Sequence, residues 1–268
     1  MVVLTPEIVA ALAGRDPFTV LFDAPGELVR AAPGRRTLRV SLGGRRYYLK
    51  LHTGVGWREI GKNLLVGRLP VVGASNEWRA LARLRELGIA APHAVGFGSR
   101  GWNPARRQSF ILTEALPDTL TLEDLYRHRA AELGLRLQRS LLRAVADIAR
   151  TLHDHGINHR DFYLCHFRLA LTADGALPAE PRLYLMDLHR AQIRRRTPFR
   201  WRAKDLGELY FSALETGLSW RDRLRFIRRY GQRRLRKTLD RDVVLWWAVR
   251  ERARRLYMRH HGREPAAC

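Results

Sequence analysis

"HDHGINHRDFYLCHF", from His153 to Phe167, places four histidines, His153, His155, His159 and His166, within fourteen residues. Histidine is the commonest protein ligand for transition metals, so the stretch reads either as a metal site or as a loop in which Asp161 does the chemistry. The residues before it weigh against the first reading. Leu137, Leu141, Val145, Ile148 and Leu152 recur at helical spacing up to Gly156. His153 and His155 therefore sit two apart at a helix end, face different ways and do not chelate together. What remains is a loop that presents His159-Arg160-Asp161, with His166 five residues beyond the aspartate.

Further on, "PRLYLMDLHRAQ" reads as a strand ending in Asp187. Upstream, "GELVRAAPGRRTLRVSLGGRRYYLKLH" (Gly26 to His52) reads as three strands turning at Pro33-Gly34 and Gly43-Gly44. A basic helix follows around "WREIGKNLL". "NEWRALARLRELG" then sets Trp78, Leu81, Leu84 and Leu87 on one stripe, stopped by Gly88, and "HAVGFGSR" and "QSFILTEAL" look like two more strands. From about Trp201 the chain reads as helical and increasingly basic. Strands thus come first and helices second, with a boundary near Leu116–Leu120. The expectation is an α+β, two-lobed protein: residues 1–116 as a small antiparallel β-rich lobe, 117–268 as a larger mainly helical lobe, and a cleft between them.

Composition narrows the partners. The 268 residues carry 49 Lys+Arg against 26 Asp+Glu, a net +23 and a pI near 11.4, at 46% hydrophobic content. Such a surplus implies polyanionic company: nucleic acid, an anionic membrane or a phosphorylated substrate. Between Ser219 and His261, fifteen Lys/Arg against four acids hold +11 of it, interleaved with Trp220, Phe226, Trp246, Trp247 and Tyr257. That pattern predicts helices packed on one side and meeting an anionic surface on the other, either a membrane or a small acidic protein. Two cysteines, Cys165 and Cys268, exclude a disulfide framework and suit a reducing cytoplasm. Pro6 and Glu7 interrupt an N-terminus with no basic n-region, and Val243 to Val249 is too short an apolar run to span a bilayer, so a soluble or peripheral protein is expected.

Lys50 ends a strand, Glu77 opens a helix, Asp161 sits in a loop and Asp187 ends a strand. In this chain order they make the minimal set for ATP-dependent phosphoryl transfer: a Lys on the phosphates, a carboxylate to hold it, a base for the acceptor hydroxyl and a carboxylate for Mg²⁺. "LHDHGINHRD" resembles the protein-kinase catalytic loop. More narrowly, "GRRTLRVSLGGRRYYLK", "KNLLVGRLPVVGASNEW", "GINHRDFYLCHF", "MDLHRAQ", "RWRAKDLGELYFSAL" and "GLSWRDRLRF" resemble the lipopolysaccharide core heptose(I) kinase family over most of the chain. The resemblance implies a protein-kinase-like fold and transfer of phosphate from ATP to a heptose of the lipid-linked inner core, at the cytoplasmic face of the inner membrane. It assigns Asp161, Arg160 and His159 to catalysis and Lys50 and Glu77 to the nucleotide. It assigns Asp187, with His166, to Mg²⁺ or Mn²⁺.

Several departures shape the expectation. His166 stands where protein kinases place an Asn ligand, and imidazole suits ions softer than Mg²⁺. Tyr48 shares the face of Lys50, which predicts a tight nucleotide pocket. "AAPGRRT" has one glycine, so Arg35 or Arg36 would contact phosphate by charge; Arg36 is the candidate carried forward. Glu114 falls at the expected hinge, where backbone would hold adenine. Asp205, in "RWRAKDLGELY", either caps a helix or accepts N–H groups of the catalytic loop. Asp187 is followed by Leu-His, 26 residues after Asp161, with no long activation loop, which favours a small-molecule or glycan acceptor. The alternatives are a kinase for another sugar, an aminoglycoside or a protein hydroxyl, and a basic nucleic-acid-binding protein. The last is disfavoured because it has no binding motif and leaves the aspartates unexplained.

Overall fold

The structure, a computed structural model, describes residues 1–54, 56–65 and 73–266, so Cys268 and part of the "KNLLVGRLPVVGASNEW" stretch lie outside the described residues. Its elements run β1 (Val2–Leu4), α1 (Pro6–Leu12), α2 (Pro17–Phe22), β2 (Glu27–Ala32), β3 (Arg35–Leu42), β4 (Arg45–His52), α3 (Gly56–Leu65), α4 (Ser75–Glu86), β5 (Ala94–Arg100) and β6 (Gln108–Glu114). There follow β7 (Thr119–Thr121), α5 (Leu122–His128), α6 (Leu135–Asp154), β8 (Ile157–Asn158), β9 (Phe167–Ala170), β10 (Leu183–Leu185), β11 (Gln192–Ile193), α7 (Phe199–Ala213), α8 (Trp220–Gly231), α9 (Leu235–Arg241) and α10 (Val243–His261). Contacts divide the chain into two units, Met1–Glu86 with Ala91–Leu116 and Leu87–Ala90 with Pro117–Cys268.

The first unit is an antiparallel sheet ordered β1-β5-β6-β4-β3-β2. Gly43 and Gly44 both take positive φ, 55° and 74°, the conformation a two-residue hairpin turn needs. Alternation along the strands separates two faces. Leu38, Val40, Tyr47, Leu49 and Leu51 join Ile8, Leu12, Phe18 and Leu21 of α1 and α2 in one core. The other face carries Lys50, Ile111 and Phe97, matched across the strands, and there Trp78 of α4 stacks on Phe97 at 5.4 Å. The N-terminal elements are a finding beyond the sequence reading. Pro6 is not an interruption but the first residue of α1, where proline's missing N–H costs nothing. Asp16 likewise caps α2 by accepting from Thr19 N–H at 2.9 Å.

The second unit pairs β10-β9-β7 and β11-β8 beside the helices α5 to α10. The stretch "ALTADGALPAEPR" turns β9 back into β10 as a hairpin, with Leu183 opposite Leu169. Helix α7 lies tightly on α10: a Cβ at Gly207 would come within 2.8 Å of the Arg252 side chain. Asp187 falls two residues beyond the end of β10 with φ 58° and ψ 52°, a left-handed conformation.

At Gly156, φ is +77° and an added Cβ would stand 1.7 Å from the Arg194 carbonyl oxygen. Gly156→Ala should therefore cost more than about 3 kcal/mol by urea unfolding. Gly175→Ala, with φ +79° and open space around it, should cost about 1 kcal/mol. Equal losses would contradict the close approach of β8 and the segment after β11.

Candidate active site

The loop from His159 to Leu164 is held by one stripe of α7. Asp205, fully buried, accepts from His159 N–H at 2.6 Å and Arg160 N–H at 2.9 Å. Lys204 donates to the Arg160 carbonyl and pairs with Glu208, Glu208 accepts from Phe162 N–H at 3.5 Å, and Ser212 Oγ accepts from Leu164 N–H at 3.0 Å. Of the two roles open to Asp205, the loop anchor is the one observed: it lies inside α7, six residues past its start, and caps nothing. This grip explains how Arg160 keeps φ at +75°, a conformation that costs a non-glycine residue on the order of 1–3 kcal/mol. His159 lies beneath the loop, donating from Nε2 to the Met186 carbonyl at 2.8 Å. His153 is likewise structural, with Nδ1 at 2.9 Å from the Tyr230 hydroxyl, whereas exposed His155 bonds to Thr151 O at 2.8 Å. Asp161 projects from this loop, and its Oδ1 accepts from Arg190 Nη1 at 2.8 Å.

In the first unit, Lys50 Nζ meets Glu77 Oε1 at 2.6 Å, and Glu77 is only 5% exposed. Arg36 does not belong with them. It stands opposite Leu51 in the β3–β4 register, on the α1–α2 side of the sheet, and donates to the Phe22 carbonyl. Alternation puts the neighbouring Arg35, paired with His52, on the face of Lys50. Tyr48 shares that face, as the strand pattern required. Glu114 closes β6; its N–H donates to the His93 carbonyl at 2.9 Å and its carboxylate lies 3.3 Å from His93 Nδ1.

His166 Nδ1 contacts the Asp161 carbonyl oxygen at 2.6 Å, so that nitrogen carries the hydrogen. Nε2 faces Asp187 Oδ2, 3.6 Å away. An imidazole that donates its other N–H to a carbonyl is oriented as metal-bound histidines are. The other Asp187 oxygen receives His189 Nδ1. Among the described residues no group of three or more His, Cys, Asp or Glu could hold a metal by itself. A two-donor set fits an ion bound largely through substrate phosphates and water.

Sequence reasoning missed Arg190, Lys204, Glu208 and His189. The spacing of Asp205, Glu208 and Ser212 along one stripe of the helix was the available signal for α7, since buried charges are retained only when partnered. It also missed an apolar cavity of about 450 Å³ in the second unit, lined by Leu141, Val145, Leu209, Phe226 and Trp246. Beside it, sharing Leu142, runs a groove whose cations include Arg136, Arg139, Arg143, Arg228 and Arg233. Of the aromatics between the basic residues, Tyr257 is buried, while Trp220 and Trp247 are 61% and 65% exposed. Among the described residues no helix is long and apolar enough to cross a membrane.

The sequence profile of the lipopolysaccharide kinase (Kdo/WaaP) family matches residues 21–230. The lipopolysaccharide core heptose(I) kinase WaaP of Pseudomonas aeruginosa is 49% identical over 249 residues, 92% of either chain. That of Escherichia coli is 44% identical over 246 residues, 91% of this chain and 92% of the relative. A solved structure, WaaP in complex with acyl carrier protein, superposes with a TM-score of 0.82 at 42% identity, covering 96% of this chain and 99% of that one. The fold is kinase-like and the protein is a kinase. It belongs to the lipopolysaccharide kinase (Kdo/WaaP) family.

Burial is the larger influence on His159 and pulls its pKa below the ordinary 6.5. Burial pushes the Asp205 carboxyl up, but the bond and charge of His153 and the charge and backbone N–H of His159 outweigh it, leaving it below 3.8. In both cases the unfolded chain binds the proton more readily, so stability rises with pH. The melting temperature should fall as pH drops below about 6.5, where unfolded histidine protonates, and again below about 4. A His159→Gln variant should lose the first step; a wild-type melting temperature flat between pH 8 and 5 would contradict the buried neutral imidazole.

Proposed function

We propose that the protein transfers the terminal phosphoryl group of ATP to heptose I of the lipopolysaccharide inner core, as its relatives are named for doing. The observation that carries the reading is Asp161, fixed by Arg190 on a loop whose backbone α7 holds. The heptose hydroxyl gives its proton to Asp161 Oδ2 as its oxygen bonds to the γ-phosphorus, and the bond to the β–γ bridging oxygen breaks. Lys50, held by Glu77, neutralises phosphate charge, with Arg35 on the same face in place of Arg36. Glu114 contributes its carbonyl to adenine, because its N–H is committed to His93. Asp187 and His166 would hold Mg²⁺ or Mn²⁺, which supplies charge neutralisation on the phosphates.

Asp161→Asn should fold and lose about 10²–10⁴ in kcat, read by mass spectrometry as the phosphate added to dephosphorylated core lipopolysaccharide. Near wild-type turnover would defeat the assignment. Lys50→Ala and Asp187→Ala should be nearly inactive, and Asp187→Ala should show weakened Mg²⁺ dependence. His166→Asn should shift metal preference from Mn²⁺ toward Mg²⁺; an unmoved preference would remove His166 from the ion.

For the basic face we propose a small acidic partner of the acyl carrier protein type, on the strength of the solved complex. The arginine groove suits its acidic surface, and the adjoining apolar cavity suits an acyl chain. The same cations would hold the protein peripherally at the inner membrane, at about 1 kcal/mol for each engaged Lys/Arg. Acyl-loaded carrier protein should raise the melting temperature more than the unloaded form. Anionic vesicles should sediment the protein at low salt and release it at high salt. Equal binding to neutral vesicles would exclude electrostatic attachment.

A further inference from the structure

Phosphoryl transfer gives no role to Arg194 and Arg200, which gather with Arg160 in one cluster of cations. Arg160, Arg194 and Arg200 bring their guanidiniums to 5.3, 5.8 and 5.1 Å from the centroid of the Trp201 ring. A ring has two faces, so at least two of these cations share one. Burial, then the charge of Arg190, pulls the Arg160 guanidinium below its ordinary value, with Arg194 acting in the same direction. The charges of Asp161 and Asp205 offset this only in part. Arg190 has Asp161, but the two terminal nitrogens of Arg194 donate to the neutral amide oxygens of Asn158 and Gln192. Among the described residues no carboxylate makes an ion pair with Arg160, Arg194 or Arg200.

The unsatisfied atoms point the same way. Arg160 Nε, Trp201 Nε1 and Asn158 Nδ2 are all buried without a hydrogen-bond partner, and Arg160 is only 8% exposed. All three are donors, so what they lack is an acceptor. An anion offers only acceptors and would also offset the clustered positive charge. Exposed Arg200 and half-buried Arg190 and Arg194 leave a way in from solvent.

We propose that Arg160, Arg190, Arg194, Arg200 and Trp201 form a binding site for an anionic group of the acceptor, a carboxylate or phosphate on a sugar next to the one phosphorylated. The assignment to the acceptor rests on the phosphotransfer reading. Arg190 links the two functions: its guanidinium holds Asp161 Oδ1, so an acceptor pinned by its acid group presents a neighbouring hydroxyl to the base. The site is then a specificity device that selects acidic glycans over neutral ones.

Calorimetry with inorganic phosphate and with free Kdo, a carboxylate-bearing sugar, tests the site directly. The proteins to compare are wild type, Arg194→Gln, Arg200→Gln and Trp201→Phe, the last keeping an aromatic ring but removing the orphan N–H together with the rest of the pyrrole ring. Steady-state kinetics follow, with native acceptor, carboxyl-reduced acceptor and phosphate-stripped acceptor. We expect saturable anion binding to wild type that is weakened in the variants. We also expect an acceptor KM raised about tenfold or more in Arg194→Gln with kcat and the ATP KM unmoved. The modified acceptor that lacks the recognised group should raise the wild-type KM equally and be insensitive to Arg194→Gln, which separates carboxylate from phosphate. No saturable binding of either anion, variants that bind like wild type, or an unmoved acceptor KM would overturn the proposal. A wild-type enzyme that binds the anion but phosphorylates no lipopolysaccharide acceptor would instead defeat the phosphotransfer reading and, with it, the assignment of the anion to that acceptor.

Discussion

The second unit depends on one buried carboxylate. Asp205 has no exposed surface, and its two oxygens take the N–H groups of His159 and Arg160. A charge so placed is tolerated only because its hydrogen-bonding capacity is filled, and each charge-assisted bond of this kind contributes about 1.5–3 kcal/mol. The bonds run from the middle of α7 to a loop 45 residues earlier, so they fix the loop's distance from the helix as well as its shape. The left-handed backbone at Arg160 follows from them, and so does the direction in which Asp161 points.

The remaining polar contacts extend this anchor. Lys204 and Glu208 meet the same loop from adjacent turns of α7, and Arg252 of α10 reaches Glu208 at 2.9 Å. The His159–Leu164 loop, α7 and α10 are thereby joined through charged groups that are mostly buried. The first unit repeats the principle on a smaller scale with Lys50 and Glu77, a pair formed between a strand and a helix on one face of the sheet. Both arrangements position a reactive group with partners drawn from a different element, which restricts its rotamers more than local sequence could.

Charge also organises the surface. The chain's surplus of cations is not spread evenly. One set of arginines lines the groove beside the apolar cavity, and another surrounds Trp201 next to Asp161. The first is an open face suited to a large acidic partner. The second is a small, partly buried nest suited to a single acidic group. Their geometry separates two uses of positive charge that composition can only add together.

Local patterns were enough to read the hairpins from Gly26 to His52, the stripe on α4, the long helix α6 and the order of Lys50, Glu77, Asp161 and Asp187, because alternation, helical spacing and paired glycines act over a few residues. The same rules could have separated Arg35 from Arg36 and turned Pro6 and Asp16 into helix starts. No local rule reveals that Arg190 meets Asp161 across 29 residues, that Asp205 serves the loop instead of capping a helix, or that His166 faces Asp187. Those contacts join residues whose separation along the chain carries no period. The sequence by itself determined which chemical groups this kinase owns and on which elements they ride. Only the tertiary structure decided which of those groups touch, because burial makes a partner obligatory for each charge without saying from where along the chain that partner comes.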